Sequence, residues 1–428
     1  MSTSDSYLHL AVALDGAGWH PAAWREPGAR PGELFTAGYW ADLARTAERG
    51  LLDLLTVEDA LGLQSGDHLT PAGRDTGRVQ GRLDAQLVAA FLAPLTSSIG
   101  LVPTVTTTHT EPFHVASAIS TLDHDSHGRA GWRVQTSFRA DEAAHFGRRD
   151  IPVITRENRD TPAGRALVAE LFDEAADAVE TVRRLWDSWE DDAEIRDAAT
   201  GRFLDRDKVH HVDVRTPYFA VRGPAIVPRP PQGQPLVVSL AHGYDPALLA
   251  ARVGDVVFTT PHDADDAARV VAQVRTAERA AGRTAPPLKI LGDVVVVLGG
   301  TDSQARDRLA RLDANIPLSS DAAVLATTPA GLADTLLDWR RAGLDGFRLR
   351  PAVLPTDLTA IVDGLVPELQ RRGAFRTAYT GTTLRERFGL ARPLSRYAAG
   401  ADPAAVPAIS PSAISPNSDS PNTAGATA

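Results

Sequence analysis

The chain of 428 residues has no cysteine, one methionine and only two lysines, Lys208 and Lys289. Without cysteine there can be no disulfide scaffold, Cys-ligated zinc, iron–sulfur cluster or thiol catalysis. No apolar run approaches the roughly 20 residues that a membrane-spanning helix requires, and the N-terminus lacks the basic-then-apolar pattern of a secretory leader. Positive charge is the scarcer sign: 44 Lys and Arg against 54 Asp and Glu leave a formal net charge of −10. That balance argues against a nucleic-acid-binding surface. The near-exclusive use of arginine, with abundant Ala, Gly and Pro, reads as codon bias rather than function. The expectation is a soluble, cytoplasmic protein with no nucleic-acid or membrane partner.

Several catalytic signatures are missing too. HExxH, GxSxG and GxxxxGK[ST] do not occur, so metalloprotease, α/β-hydrolase and P-loop readings lose their usual support. His124-Asp125-Ser126-His127 offers an i, i+3 histidine pair at the expected end of a helix without a third ligand. It reads as a helix terminus, as His210-His211 reads as part of a surface insertion, and no metal site is expected.

What is present is a long alternation of strand-like and helix-like runs. Eight apolar runs begin near His9, Leu52, Ile99, Ala130, Pro235, Asp255, Leu288 and Gly346. Their continuous apolar character is what parallel strands covered on both faces require. Helix patterns lie between them: Trp40, Leu43, Ala44 and Ala47 share one face, Glu111-Pro112 opens a helix, and Thr328-Pro329 supplies an N-cap followed by Pro at N1. A long amphipathic helix is expected from about 166 to 189. The sequence therefore predicts an α/β fold, a (β/α)₈ TIM barrel over residues 1–397. Insertions are expected at about 60–83, 138–165, 190–234 and 313–328, after strands 2, 4 and 7, the third with a short strand pair around TPYFAVRG. A doubly wound open sheet is the alternative, but GxGxxG after the first strand is missing. Residues 401–428 are Ala, Pro, Ser and Asn with almost no charge, a composition that predicts a disordered tail.

Active sites of such barrels lie at the C-terminal ends of the strands. The candidates there are Asp15, His20 and Trp24, then Glu58 and Asp59, and Thr104 to His109. Arg133 to Ser137, Ser239 to Gly243, Thr259 to His262, Gly299 to Asp302 and Arg348 to Arg350 complete the set. Asp59 reads either as a group holding a cofactor ring or substrate proton, or as a loop carboxylate making local hydrogen bonds. Gly299-Gly300 before Thr301-Asp302 reads either as a phosphate cradle or as a tight turn with an N-cap.

Several stretches together resemble the bacterial-luciferase-like flavin monooxygenases, in the branch of nitrilotriacetate, long-chain alkane and dibenzothiophene sulfone monooxygenases. These are GWHPAAWREP, LARTAERGLLDLLTVED, TVTTTHTEPFHVASAISTLDHDSHGRAGWRVQTS, DRDKVHHVDVRTPYFAVRGPAIVPRPPQGQPLVV and PELQRRGAFRTAYTGTTLRERFGLARP. The resemblance implies a two-component system in which a separate, transiently bound flavin reductase supplies reduced FMN. The flavin reacts with O2 to a flavin peroxide, which oxygenates a small organic substrate; a dimer or tetramer, and a place in specialised metabolism, are implied as well. By position, Asp59 would hold the flavin ring edge and Thr104 the ring or ribityl region. His20, as catalytic group, and Trp24 would face the substrate, with His109 in the same pocket.

The sequence departs from the family pattern at the phosphate end. Arg133 replaces the usual Asn after GRAGW. Val168 and Phe172 stand where a His and a Tyr are usual, and the fifth-strand loop reads SLAHGYDP instead of a small-hydroxyl pattern. A lost hydrogen bond to a charged group is worth about 1.5–3 kcal/mol, so losing two weakens binding about 10²–10⁴-fold. Arg133, His242 and Gly243 are the candidate replacements. A changed phosphate region equally suits deazaflavin F420 or a nicotinamide on the same barrel, or a homologue that has lost flavin and acts as a flavin-independent enzyme or binding protein.

Overall fold

The structure, a computed structural model, describes residues 7–65, 76–155, 157–398 and 409–410. Eight strands carry the barrel: β1 (His9–Leu14), β2 (Leu54–Val57), β3 (Gly100–Thr106), β4 (Gly131–Gln135), β5 (Leu236–Leu240), β6 (Val256–Thr259), β7 (Lys289–Leu298) and β8 (Gly346–Pro351). Each pairs in parallel with the next, and β8 returns to β1 with Gly346 level with His9, which closes the ring. The eight expected strands are therefore the eight barrel strands.

The helices form the outer layer: α1 (Ala37–Arg49), α2 (Ala85–Leu92), α3 (Pro112–Asp125), α4 (Ala140–Phe146), α5 (Pro162–Asp187), α6 (Tyr244–Val253), α7 (Ala264–Ala280), α8 (Asp302–Asp313) and α9 (Pro329–Arg340). Trp40, Leu43, Ala44 and Ala47 of α1 are all buried, as their spacing requires. Helix α5 begins a turn earlier than its apolar stripe suggests, because Thr161 caps it by accepting from the Gly164 amide and Pro162 occupies N1. Thr328 caps α9 in the expected way.

Three features depart from expectation. Residues 138–165, expected only as an insertion, contain α4. The insertion around 190–234 holds two hairpins: Val214–Arg215 with Ala220–Val221, as expected around TPYFAVRG, and Glu194–Asp197 with Arg202–Leu204. The segment 313–328 contains a further parallel strand, Ala323–Thr327, paired with Val294–Leu298 of β7. It takes over the edge of β7 where β6 ends, since Thr259 of β6 is level with Gly292.

Alternate strand residues point into the barrel, and the interior changes character along its axis. At the N-terminal end Leu54, Val102, Leu236, Val256 and Leu291 pack with Leu384 and Phe388 of the C-terminal segment into an apolar plug. One step further along the barrel stand Thr56, Thr104, Arg133, Asp293 and Arg348, all buried, beside Val238 and Phe258 of β5 and β6. Glu58 and Arg350 form the next step, so the mouth is charged.

Of the predicted tail, residues 409 and 410 are described, and they touch the body. Ile409 packs against the main core and the Ser410 amide donates to Asp177 Oδ1 of α5 at 3.0 Å. The rest of 401–428, and the central part of the 60–83 insertion, lie outside the described residues.

Candidate active site at the barrel mouth

The charged interior residues form one connected chain. Arg133 Nη1 donates to Thr104 Oγ1 at 2.8 Å and lies 2.8 Å from Glu58 Oε2. Glu58 Oε1 accepts from Thr56 Oγ1 (2.9 Å) and from Arg348 Nη1 (2.8 Å). Arg348 Nε in turn donates to Asp293 Oδ1 at 2.7 Å, and Arg350 donates to Asp293 and to Asp321, the latter at 2.7 Å. Asp321 ends the chain 3.5 Å from His242 Nε2. Three arginines thus face three carboxylates, and the assembly is neutral.

Burial opposes ionisation of these carboxylates, but the arginines outweigh it. Glu58 is held below its ordinary value by Arg133 and Arg348, and Asp293 by Arg348 and Arg350. Asp321 is held at about 2, burial being overcome chiefly by Arg350. Burial lowers Arg133 to about 10, which leaves it protonated at neutral pH. His242, whose Nδ1 lies 3.2 Å from Thr260 Oγ1, is lowered by burial, so it is neutral at pH 7.

Beside this chain lies a cavity of about 280 Å³ between the loop after β1 and the two segments that cross it, lined among others by Asp15, Trp19, His20, Gln64, Arg82 and Leu318. The loop after β1 is laced to the end of β8: the Trp19 and His20 amides donate to Pro351 O and Ala352 O at 2.9 and 3.0 Å. Gly18 makes this approach feasible, with φ +126° and a position where a Cβ would stand 2.4 Å from Ala352 O. Arg350 stacks over the Trp19 ring at 4.5 Å. Asp15 is raised by burial. Arg82 lines the cavity opposite, with a buried Nε that has no hydrogen-bond partner.

The expected site residues divide by position. Asp59 follows β2, its Oδ1 accepting from the Ala60 amide (2.7 Å) and its Oδ2 from the Ala85 amide at the start of α2 (2.8 Å); burial raises it to about 6. Thr104, Arg133 and His242 belong to the charged chain or its end. Gly243 is the N-cap of α6 in extended backbone. His20 lines the cavity with a fully buried ring whose two nitrogens are both engaged: Nδ1 accepts from the Ala22 amide (3.1 Å), so Nε2 donates to Asp313 (3.0 Å). That arrangement fixes the loop and leaves no free acid or base on the ring.

Trp24 stands back from the cavity, tying its indole N–H to Gly77 O at 2.9 Å; Trp19 is the tryptophan of the wall. His109 lies elsewhere, stacked on Phe146 (5.1 Å) beside a second cavity with Thr108, Arg149 and Tyr218, and its buried Nε2 is unpartnered. Gly299-Gly300 leads into Thr301, which caps α8 by accepting from the Gln304 amide, the turn reading. Asp293, Asp321 and Arg82 were not among the candidates. Asp293 was readable as a lone charge inside the run LGDVVVVLG; the other two carry no local signal.

The sequence model of the luciferase-like monooxygenases matches residues 17–345. The chain belongs to this family. N-acetyl-S-(2-succino)cysteine monooxygenase of Bacillus subtilis is 32% identical over 93% of this chain and 100% of its own length. Nitrilotriacetate monooxygenase component A of Aminobacter aminovorans is 31% identical over 91% and 98%. Among solved structures, EDTA monooxygenase from Chelativorans sp. BNC1 superposes with TM-score 0.76 at 26% identity, covering 90% of this chain and 99% of that one. Membership makes the protein an oxidoreductase of the monooxygenase type, in the branch that the sequence resemblance named. Among the described residues no helix is long and apolar enough to cross a membrane.

A luciferase-like monooxygenase implies a flavin, and the two residues that the resemblance gives to its ring end have hydrogen-bonding capacity to spare. At the ring end Asp59 keeps acceptor lone pairs beyond its two amide bonds, and the Thr104 hydroxyl, accepting from Arg133, retains its own proton to donate. At the phosphate end the residues do not fit. The cations Arg133 and Arg350 are committed to carboxylates, His242 is neutral, and ionised Asp321 stands beside it.

Proposed function

We propose that this chain is the oxygenase component of a two-component flavin-dependent monooxygenase, taking reduced flavin from a separate reductase and oxygenating a small organic substrate in the cytoplasm. FMN is the flavin that the family resemblance implies. The observation that carries the reading is that Asp59 and Thr104 both stand near the C-terminal ends of neighbouring strands: Val57 is level with Pro103, so Thr104 stands one residue and Asp59 two residues beyond that level. The name of one relative, a "component A", supports the reductase partner. A homo-oligomer and a place in specialised metabolism belong to the same reading.

A reduced flavin, when bound, supplies the electrons for activating O2. The protein's part is orientation and exclusion of water. Asp59 would hold such a flavin by accepting a hydrogen bond from a ring-edge N–H, and Thr104 by donating one. Trp19 and Leu318 cover the cavity, and the His20–Asp313 and Trp24–Gly77 bonds hold its walls. Asp15 and Arg82 face the cavity as the groups that meet a substrate.

The reading is tested by anaerobic titration of the purified chain with chemically reduced flavin. Saturable binding that weakens in Asp59→Asn is the expected result. No binding to the wild type contradicts the reading and leaves a barrel whose chemistry is flavin-independent.

A further inference from the structure

The two ends of the flavin site make opposite demands. The loop from β5 into α6, residues 239–246, is the segment where the resemblance puts the phosphate, and a helix N-terminus is ordinarily a favourable place for an anion. Here that N-terminus already carries an acidic residue in its first turn, Asp245, and no side chain caps it. Across from it Asp321 stands 3.5 Å from His242 and is bonded to Arg350 at 2.7 Å. Thr260 Oγ1 is engaged with His242. Ser239 is one residue before Leu240, which packs with the barrel interior, so its buried hydroxyl, which has no hydrogen-bond partner, takes the opposite face. A phosphate dianion at this position meets the Asp321 carboxylate, with Asp245 in the adjoining helix turn, while the Arg350 guanidinium is held by Asp293 and Asp321. An uncharged ribityl terminus meets hydroxyl and imidazole groups instead, with no like-charge repulsion.

We propose that this chain accepts its flavin without selecting for the 5′-phosphate, binding reduced riboflavin at least as tightly as reduced FMN. The proposal rests on the flavin-dependent reading and specifies the chemical class of flavin that the site takes. Asp321 is the discriminating residue: its carboxylate repels a phosphate and also occupies the Arg350 guanidinium that could otherwise receive one.

The test is a set of anaerobic titrations with reduced riboflavin and reduced FMN, on the wild type, Asp321→Asn and Asp245→Asn. In the wild type riboflavin binds as tightly as FMN or tighter. In Asp321→Asn, FMN tightens by about tenfold, equivalent to ~1.4 kcal/mol, while riboflavin affinity stays within about threefold. Asp245→Asn, on a half-exposed helix turn, shifts FMN in the same direction, and serves where Asp321→Asn does not fold. Tighter binding of FMN than of riboflavin by the wild type, by about tenfold, overturns the proposal and leaves the flavin reading standing. Binding of neither flavin overturns the flavin reading and the proposal with it.

Discussion

Arg133 of β4 and Glu58 at the end of β2 form a 2.8 Å ion pair across the top of the barrel, both side chains 8% exposed. The pair occupies the ground where the sequence alone suggested a free arginine for a phosphate. Glu58 also receives Arg348, so removing it leaves two buried guanidinium groups short of their carboxylate. Glu58→Gln is expected to cost about 3–5 kcal/mol, as breaking buried ion pairs does, and Arg133→Met less, because Glu58 keeps Arg348. The double variant loses less than the sum of the two. Urea denaturation of the four proteins measures this; strict additivity would mean the two groups do not act together.

His20 and Asp313 hold the loop after β1 against α8. Since both ring nitrogens are used, His20→Gln and Asp313→Asn should each lower stability by about 1–2 kcal/mol and should be non-additive in combination. Flavin affinity of both variants should track that of the wild type within about threefold, less than half the ~1.4 kcal/mol of a tenfold change. A selective loss of activity in His20→Gln, with stability unchanged, would return His20 to the chemistry.

The pH dependence of stability has two opposed parts. Asp59 and Asp123 are raised from 3.8 to about 6 by burial. The fold therefore holds protons that the unfolded chain has released, and this contribution, present below about pH 4, is lost as pH rises through about 6. Asp255 behaves in the reverse sense: Arg183 and Arg385 overcome its burial and hold it at about 2, so its contribution is present above 3.8 and is lost as pH falls through about 2. From pH 4 to 7 the melting temperature of the wild type should fall relative to that of Asp59→Asn, which cannot titrate at this position. A constant difference would show that Asp59 does not titrate in that window.

Residues 409 and 410 tie the C-terminal segment to α5. A chain ending at residue 398 loses the Ser410–Asp177 hydrogen bond and the packing of Ile409. It should be less stable by about 1–2 kcal/mol, read as a shift in the denaturation midpoint at constant slope. An unchanged midpoint would mean that the segment contributes nothing.

The barrel was legible because parallel strands buried on both faces read as unbroken apolar runs, and all eight of them did. Ala323–Thr327 escaped because it is only half-buried on the edge of β7. Helix α4 is short, and its seven residues lie within a polar segment. At the mouth, Glu58, Asp59, Thr104, Arg133, Arg348 and Arg350 were readable from their place at strand ends. Their pairing was not, because the partners come from β2, β4, β7 and β8, hundreds of residues apart. Arg133 looked like a free cation for the same reason: its counter-charge Glu58 is 75 positions away in the sequence. Trp19 and Trp24 were indistinguishable by sequence, and only the lacing of the loop to β8 decides which one lines the cavity.

The most direct test of the central claim, a flavin-dependent oxygenase built on this mouth, is the reoxidation of reduced flavin by O2 followed by stopped-flow absorbance, with and without the protein. The account predicts that the protein, in excess over flavin, replaces the reoxidation course of free flavin with a slower one whose amplitude grows with protein concentration, and that Asp59→Asn restores most of the free-flavin course. Reoxidation identical to that of free flavin at every protein concentration would contradict it.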